Sequence, residues 1–282
     1  MPGVHQPLEP IAARWAAPAQ LFVVCHVMET SRMKDPEYRY LKNADHFLDL
    51  LWSVWSRHLK SDDELRQLFE AIETMEEKDL FLRIGAFYRY LVVEGSFSFT
   101  KKEWNKGMTY IDDTYKYVAI FSLIEALETP PQYKDFYQWI QSKKDAALPL
   151  NKKPMSVIDD MYKEYKKYHG SVQAAVRFFE RLDREDQAFI EKKVKINGTN
   201  SSVNKLSKLL YDMRSKFAHE ARFILGFGSA PSVGTHNGKV LTNKLTMDDL
   251  RMLFEHGFLK RFGWKGSTQP CSCSGSQKSR AR

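Results

Sequence analysis

The feature that most constrains the fold is a stripe of apolar residues at helical spacing in the last third of the chain. When each residue advances a helix by about 100°, a set of positions falls within roughly 40° of Phe217 and forms one narrow face. They are Leu206, Leu210, Met213, Ala221 and Ile224. The pattern predicts an amphipathic helix that packs this face against the rest of the protein.

Two polar residues of the same helix lie off the apolar face. Arg214 is at the border of the stripe, whereas His219 points almost directly away from it, beside Ser215. His219 is therefore expected to face solvent, a cleft or a second subunit. Side chains five positions apart do not meet on a straight helix, because helical neighbours are three or four residues apart. We therefore expect that one copy of the chain does not complete a site from Arg214 and His219.

Helical signals dominate the rest of the chain, and neither an internal repeat nor a strand-rich block interrupts them. Capping sequences precede several apolar stretches at helical spacing. The predicted helices cover about residues 61–77, 79–93, 100–129, 156–168, 171–182, 186–195 and 246–261. Residues 133–154 are predicted to hold a short helix and a loop, 197–200 a chain break, 226–238 an irregular loop, and 240–242 a small strand. The expected fold class is all-α.

The composition is typical of a globular protein. The 282 residues are 43% hydrophobic and 28% charged, and no apolar run approaches the roughly 20 residues of a membrane span. No secretory signal is recognisable. The cysteines Cys25, Cys271 and Cys273 are too few and too badly spaced for a disulfide framework or a zinc site. We expect a cytoplasmic protein without a membrane partner, a metal or a cofactor.

The charge favours an anionic partner. The formal net charge is +8 and the pI is about 9.2, and nucleic acid is the commonest partner of such chains. Charge alone leaves open a basic protein that binds no specific anion. Part of the excess lies in residues 265–282, a Ser-rich basic segment that is predicted to be a disordered tail.

Two segments carry a more specific pattern. Residues 210–219 read LYDMRSKFAH, and residues 117–128 read YVAIFSLIEALE, an apolar run that meets Glu-Ala-Leu. They resemble the signature helix and the first core helix of the HEPN superfamily, in particular the branch related to the ApeA antiphage proteins. The arginine-to-histidine spacing alone is weak, since Arg39/His46 and Arg251/His256 also match it.

The resemblance covers roughly residues 100–225 and suggests the domain organisation. Residues 1–98 are expected to form a mainly helical N-terminal region of unknown role, residues 99–264 a HEPN-like helical domain, and residues 265–282 the tail. It implies a helical bundle that dimerises, with the two Arg/His helices facing each other across a two-fold axis. It also implies the metal-independent ribonuclease activity of many members.

The resemblance also implies roles for single residues. The planar guanidinium of Arg214 would bind the scissile phosphate, and His219 would move a proton to or from the attacking 2′-hydroxyl or the leaving 5′-oxygen. The products would be a 2′,3′-cyclic phosphate and a 5′-hydroxyl.

Four supporting residues follow by the same resemblance. Glu125 is the candidate partner that orients Arg214, or else a solvated helix carboxylate. Ser215 and Lys216 are candidate phosphate contacts, although Lys216 fits a solvated side chain equally well. Tyr211 is expected to stack on a base or to pack in the dimer interface, and packing is the commoner role.

These observations predict a homodimeric, metal-independent endoribonuclease, with tRNA among its candidate substrates. A role in toxin–antitoxin systems or antiphage defence, and an antitoxin, activator or trigger protein as a further partner, follow from the family alone. One alternative is a non-catalytic HEPN module that binds nucleotide or RNA or acts as a scaffold. Another is a helical DNA-binding protein, although no helix-turn-helix is recognisable.

Overall fold

The computed structural model describes residues 38–96, 108–128, 136–143, 154–222 and 225–266. Two compact units divide the chain, Met1–Arg39 and Tyr40–Arg282, and every element named below belongs to the second. The predictions made for the cap at residues 100–103, for Ile224, for the three cysteines and for the tail beyond residue 266 lie outside the described residues.

The described residues are mainly helical, as predicted. A short 3-10 turn, Leu41–Asn43, precedes the first helix, and a π-helical stretch, Arg89–Val93, extends the third. The helices are α1 Ala44–Trp55, α2 Asp62–Glu70, α3 Met75–Tyr88, α4 Met108–Glu128, α5 Phe136–Ser142, α6 Met155–His169, α7 Ser171–Arg181, α8 Arg184–Lys193, α9 Val203–Glu220 and α10 Met247–Arg261. Among them, none is both long and apolar enough to cross a membrane.

Local capping explains where several helices begin. The side chain of Thr246 accepts a hydrogen bond from the backbone N–H of Asp249, whose carboxylate accepts one from Thr246 N, so a full capping box starts α10. The helices predicted over residues 61–77 and 79–93 are α2 and α3, but the break between them lies at residues 71–74 and not at residue 78. Ser61 caps α2, but the hydroxyl of Thr74 accepts from the backbone N–H of Glu77 at 3.2 Å and starts α3. A second N-cap therefore interrupts the predicted helix.

One region of the described residues forms a sheet, of which only the strand at residues 240–242 was predicted. The short strands β1 Val194–Ile196, β2 Thr199–Asn200, β3 Ser232–His236 and β4 Lys239–Asn243 form an antiparallel sheet in the order β2-β1-β4-β3. Two-residue Asn-Gly turns join β1 to β2 and β3 to β4, and the φ angles of Asn197, Gly198, Asn237 and Gly238 are all positive. This is the geometry of a type I′ hairpin turn, which Asn and Gly adopt with little strain. The segment predicted as an irregular loop is therefore largely one hairpin.

The core forms around α4. Phe121 of α4, Phe81 of α3 and Phe258 of α10 are fully buried in one hydrophobic cluster, in which the Trp55 ring stacks on Phe258 with ring centroids 4.7 Å apart. Helices on both sides of the predicted domain boundary at residues 98 and 99 contribute to this cluster. The boundary itself lies outside the described residues.

Helix α9 packs against α4, α7 and α8 through the predicted apolar face. Leu206, Leu210 and Met213 are buried, but the helix ends at Glu220. Ala221 then adopts the left-handed conformation, with φ 52°, and its backbone N–H donates to Phe217 O at 3.0 Å. A left-handed residue after the last turn closes a helix. Ala221 is therefore exposed, and its predicted place on the apolar face is wrong.

Candidate functional site

The candidate site lies where α9 crosses α4. Glu125 of α4 accepts two hydrogen bonds from α9, one on each carboxylate oxygen. The hydroxyl of Tyr211 donates to Oε1 at 2.6 Å, and Nη2 of Arg214 donates to Oε2 at 3.0 Å. The side chains of Arg214 and Glu125 are 17% and 22% exposed, so solvent screens this ion pair only in part. The contact between Glu125 and Arg214 that the resemblance implied is present.

Two further residues of α4 fix this crossing. The hydroxyl of Ser122 donates to Val118 O at 2.9 Å, which leaves its lone pairs to accept from Nη2 of Arg214 at 3.1 Å. One turn earlier, the buried hydroxyl of Tyr117 donates to the carbonyl oxygen of Leu210. Side chains on a single helix therefore hold Nη2 of Arg214 and fix the backbone of α9 one turn before it.

A further donor of Arg214, its Nε, lies outside these contacts. This atom is buried and has no hydrogen-bond partner within the described part of the chain. Buried donors of this kind are uncommon, because each one carries the cost of lost hydration. An acceptor brought to this side of the guanidinium would recover that cost.

Tyr211 lies inside this arrangement. Its ring is buried, its edge lies near Phe121, and the guanidinium carbon of Arg214 is 5.7 Å from the ring centroid. Burial and then the neighbouring Glu125 carboxylate raise the pKa of Tyr211 to about 12. The phenol therefore stays protonated at neutral pH and can act as the donor to Glu125.

His219 is exposed in the last turn of α9, as predicted. Because five residues advance the helix by about 500°, it lies about 140° around the axis from Arg214. Ser215 is partly exposed, and Nζ of Lys216 lies 3.6 Å from Oε1 of Glu220. The structure thus brings Glu125, Tyr211 and Arg214 together, and within one chain it places His219 on another side of the helix.

The other two Arg/His matches differ in setting. His256 is buried on α10, and its Nδ1 lies 3.0 Å from the Asp186 carboxylate of α8. His46 is exposed on α1, next to Phe47. Arg39 belongs to the other unit of the chain.

A buried polar cluster around Glu255 of α10 was not predicted. The carboxylate accepts from the Tyr88 hydroxyl at 2.5 Å and from Nε of Arg57 at 2.5 Å, and it lies 2.6 Å from Nε2 of His58. Burial alone raises the pKa of Glu255, but the hydrogen bonds and charges of His58 and Arg57 outweigh it, so the pKa is lowered. This cluster ties α1 and α3 to α10 inside the core, a position that suits a structural role.

A second unpredicted pair lies on the exposed side of α9. Nε2 of His236, at the end of β3, is hydrogen-bonded to the Asp212 carboxylate of α9. The Asn237-Gly238 turn that places His236 there could have been recognised, because Asn-Gly between two strands is the strongest short-range hairpin signal. Over the described ranges, no group of three or more His, Cys, Asp or Glu side chains is arranged to hold a metal ion.

Comparisons with known proteins add no assignment: no family model, curated protein or solved structure matches this chain.

Proposed function

We propose that the protein is a metal-independent endoribonuclease whose site is completed by two copies of the chain, with Arg214 and His219 as catalytic residues. The observation that carries the proposal is the position of Arg214, which Glu125 and Ser122 hold at the α4–α9 crossing while His219 lies exposed further along the same helix. The likeness of both segments to HEPN helices supplies the chemistry. Action in the cytoplasm, in a toxin–antitoxin or antiphage role, belongs to the same proposal.

The chemistry of the two side chains determines the proposed roles of Arg214 and His219. A guanidinium is always protonated and offers several N–H donors, so it suits the charge that develops on a phosphate during cleavage. An imidazole titrates near neutral pH and can take the proton of a 2′-hydroxyl or give one to a leaving 5′-oxygen. Glu125 is a positioning residue in this proposal, since it contacts Arg214 and not the RNA.

The requirement for two copies follows from helix geometry. Arg214 and His219 diverge by about 140° on α9, so their side chains do not converge within one chain. A two-fold axis near the end of α9 would bring His219 of one copy towards Arg214 of the other. A monomeric nuclease that used both residues would contradict this proposal.

The first experiment is cleavage of total tRNA and of a synthetic single-stranded RNA in the presence of a chelator. Arg214→Ala and His219→Ala should each lower the rate by about 100-fold or more, because each removes a group that acts in the transition state. Matched controls are Arg184→Ala and His46→Ala, which remove exposed side chains of the same types from other helices. The products of the native protein should end in a cyclic phosphate and a 5′-hydroxyl.

A mixing experiment tests the shared site. Each single variant should be inactive alone, and a refolded mixture of Arg214→Ala and His219→Ala should recover activity. Recovery is expected because one copy supplies the histidine and the other the arginine. Cleavage that both substitutions leave unchanged would remove this site from consideration. A stable dimer without cleavage of either RNA would favour the non-catalytic module.

A further inference from the structure

An open groove of about 370 Å³ lies between the outer side of α9 and the sheet. Its floor is apolar and is formed by Val172, Ile196, Leu209 and Leu241. Ile196 and Leu241 are paired across β1 and β4, so both point to the same face of the sheet. A volume of this size falls in the range of small-molecule sites.

Three lysines surround the floor. Lys205 and Lys208 are one turn apart on α9, and Lys239 begins β4 on the other side of the groove. All three are exposed, and no hydrogen bond or ion pair joins their side chains to another described residue. The three lysines outnumber the one carboxylate that lines the groove, that of Asp212, so the net charge of the groove favours an anionic ligand.

The His236–Asp212 pair adds a polar group with a defined orientation. Nε2 of His236 is hydrogen-bonded to the carboxylate of Asp212, and Nδ2 of Asn237 lies 3.0 Å from the same ring nitrogen. The His236 side chain is only 7% exposed, whereas that of Asp212 is 46% exposed. The carboxylate can therefore still accept a hydrogen bond from a ligand hydroxyl.

We propose that this groove binds a nucleoside phosphate, either a free nucleotide or one nucleotide unit of a single-stranded RNA. The lysines would bind the phosphate, the apolar floor would lie under the base, and Asp212 would accept a hydrogen bond from a ribose hydroxyl. Inorganic phosphate fits less well, because it uses neither the floor nor the Asp212 carboxylate. Binding of RNA here deepens the proposed ribonuclease function and rests on it, whereas binding of a free nucleotide does not.

The position of the groove on α9 fits a nucleotide of a bound strand. Asp212 and His219 are seven residues apart, so they lie on nearly the same side of the helix and about 10 Å apart along its axis. Lys208 lies one turn before Asp212 on that side. A strand that occupies the groove could therefore follow the exposed face of α9 towards His219.

The test is equilibrium binding to the full chain, with AMP, inorganic phosphate and a single-stranded RNA of about ten nucleotides as probes. The RNA is measured in the His219→Ala background, so that binding does not depend on cleavage. The double variant Lys205→Ala/Lys208→Ala should weaken the binding of AMP or RNA by about tenfold or more. Its matched control is Lys163→Ala/Lys167→Ala, which removes two exposed lysines from α6 and changes the net charge equally.

Each outcome decides a point. Loss of AMP binding alone identifies a free-nucleotide site, and loss of RNA binding with a smaller salt dependence identifies a subsite for the strand. Asp212→Asn should weaken AMP but not inorganic phosphate. The proposal is overturned if the α6 control weakens binding as much as the α9 variant, or if inorganic phosphate binds as tightly as AMP. Because binding is measured without cleavage, an inactive nuclease would leave this result intact.

Discussion

The substitution Glu125→Gln isolates the positioning of Arg214 from the chemistry of Arg214 itself. The amide keeps one acceptor oxygen and the shape of the side chain, but it removes the negative charge that faces Nη2 of Arg214 at 3.0 Å. A hydrogen bond between charged groups contributes about 1.5–3 kcal/mol when buried. Since both side chains are about one fifth exposed, we expect the free energy of unfolding to fall by about 1–2 kcal/mol.

The loss should appear as a modest change in melting temperature. For a chain of this size, about 1 kcal/mol corresponds to roughly 2–4 °C, so the melting temperature should fall by about 2–8 °C. Glu164→Gln is the matched control. It removes a carboxylate 3.1 Å from Lys143 that is far more exposed, and an exposed pair contributes about 0–1 kcal/mol.

The effect on cleavage should be larger than this loss of stability suggests. A less constrained guanidinium meets the phosphate in the correct geometry less often, and we expect the rate constant to fall by about tenfold or more. The Michaelis constant should change less, because Glu125 does not touch the RNA in this proposal. Single-turnover cleavage below the melting range of the variant separates the two effects.

A double-mutant cycle with Arg214→Ala completes the test. If Glu125 acts through Arg214, the two substitutions should be strongly non-additive in free energy of unfolding, with a coupling of about 1 kcal/mol or more. This readout remains usable even where the Arg214 variants cleave nothing. Additive effects on stability, or an unchanged rate in Glu125→Gln, would refute the positioning role.

Three further predictions concern the core and its ionisable groups. Glu255→Gln should lower the free energy of unfolding by about 3 kcal/mol in urea denaturation, because it leaves the largely buried His58 and the half-exposed Arg57 without a counter-charge. Since the pKa of Glu255 is lowered, the stability it contributes is present above its unfolded pKa and should be lost as the pH falls through its folded pKa. Burial and then Asp112 raise the pKa of Asp113 to about 6, so its ionisation at neutral pH destabilises the folded protein. Asp113→Asn should therefore stabilise the protein by about 1 kcal/mol at about pH 7, a value reduced for the partial exposure of the side chain, and should have no effect near the unfolded pKa. Gly257→Ala should lower the melting temperature, because its Cβ would lie 2.3 Å from Cζ of Phe178 and overpacking costs about 1–3 kcal/mol.

Each of these has a result that would contradict it. Gly228→Ala is the control for Gly257→Ala, since no described atom beyond its chain neighbours lies within 4 Å of the added Cβ. An equal loss of stability in both variants would exclude the clash with Phe178 as the cause. For Asp113→Asn, a gain in stability that persists at low pH would exclude the ionisation of Asp113 as its cause. For Glu255, a variant as stable as the native protein would show that an apolar or neutral group serves equally well at that position.

The helices could be predicted because their signals are local. The final helix begins at its capping box and ends at Arg261, as expected, since both signals lie within a few residues of the ends. The α2–α3 break was predicted a few residues too late, because the N-cap at Thr74 lies within an otherwise continuous helical pattern. The hairpins were missed for a different reason. Their Asn-Gly turns were visible, but strands of two to five residues show too little alternation to be recognised alone.

The contacts within the polar clusters could not be predicted from local sequence patterns. Glu255 contacts Arg57 and His58, which lie nearly two hundred positions earlier, and neither its helix nor theirs predicts that meeting. Glu125 and Arg214 are 89 positions apart, and only the resemblance to a known pair of helices placed them together. His236 reaches Asp212 because a turn reverses the chain, so this pair depends on the hairpin that was missed.

Distance along α9 separates the two proposed binding events. A two-fold axis that brings His219 of each copy towards the other would pass near the C-terminal end of α9, because the chain turns away at Ala221. Lys205 lies 14 positions before His219, which corresponds to about 21 Å along the helix axis. Lys205 would therefore remain outside such an interface. In the proposed dimer, a phosphate bound at Lys205 would then not compete with a second copy at His219, and one strand of RNA could contact both.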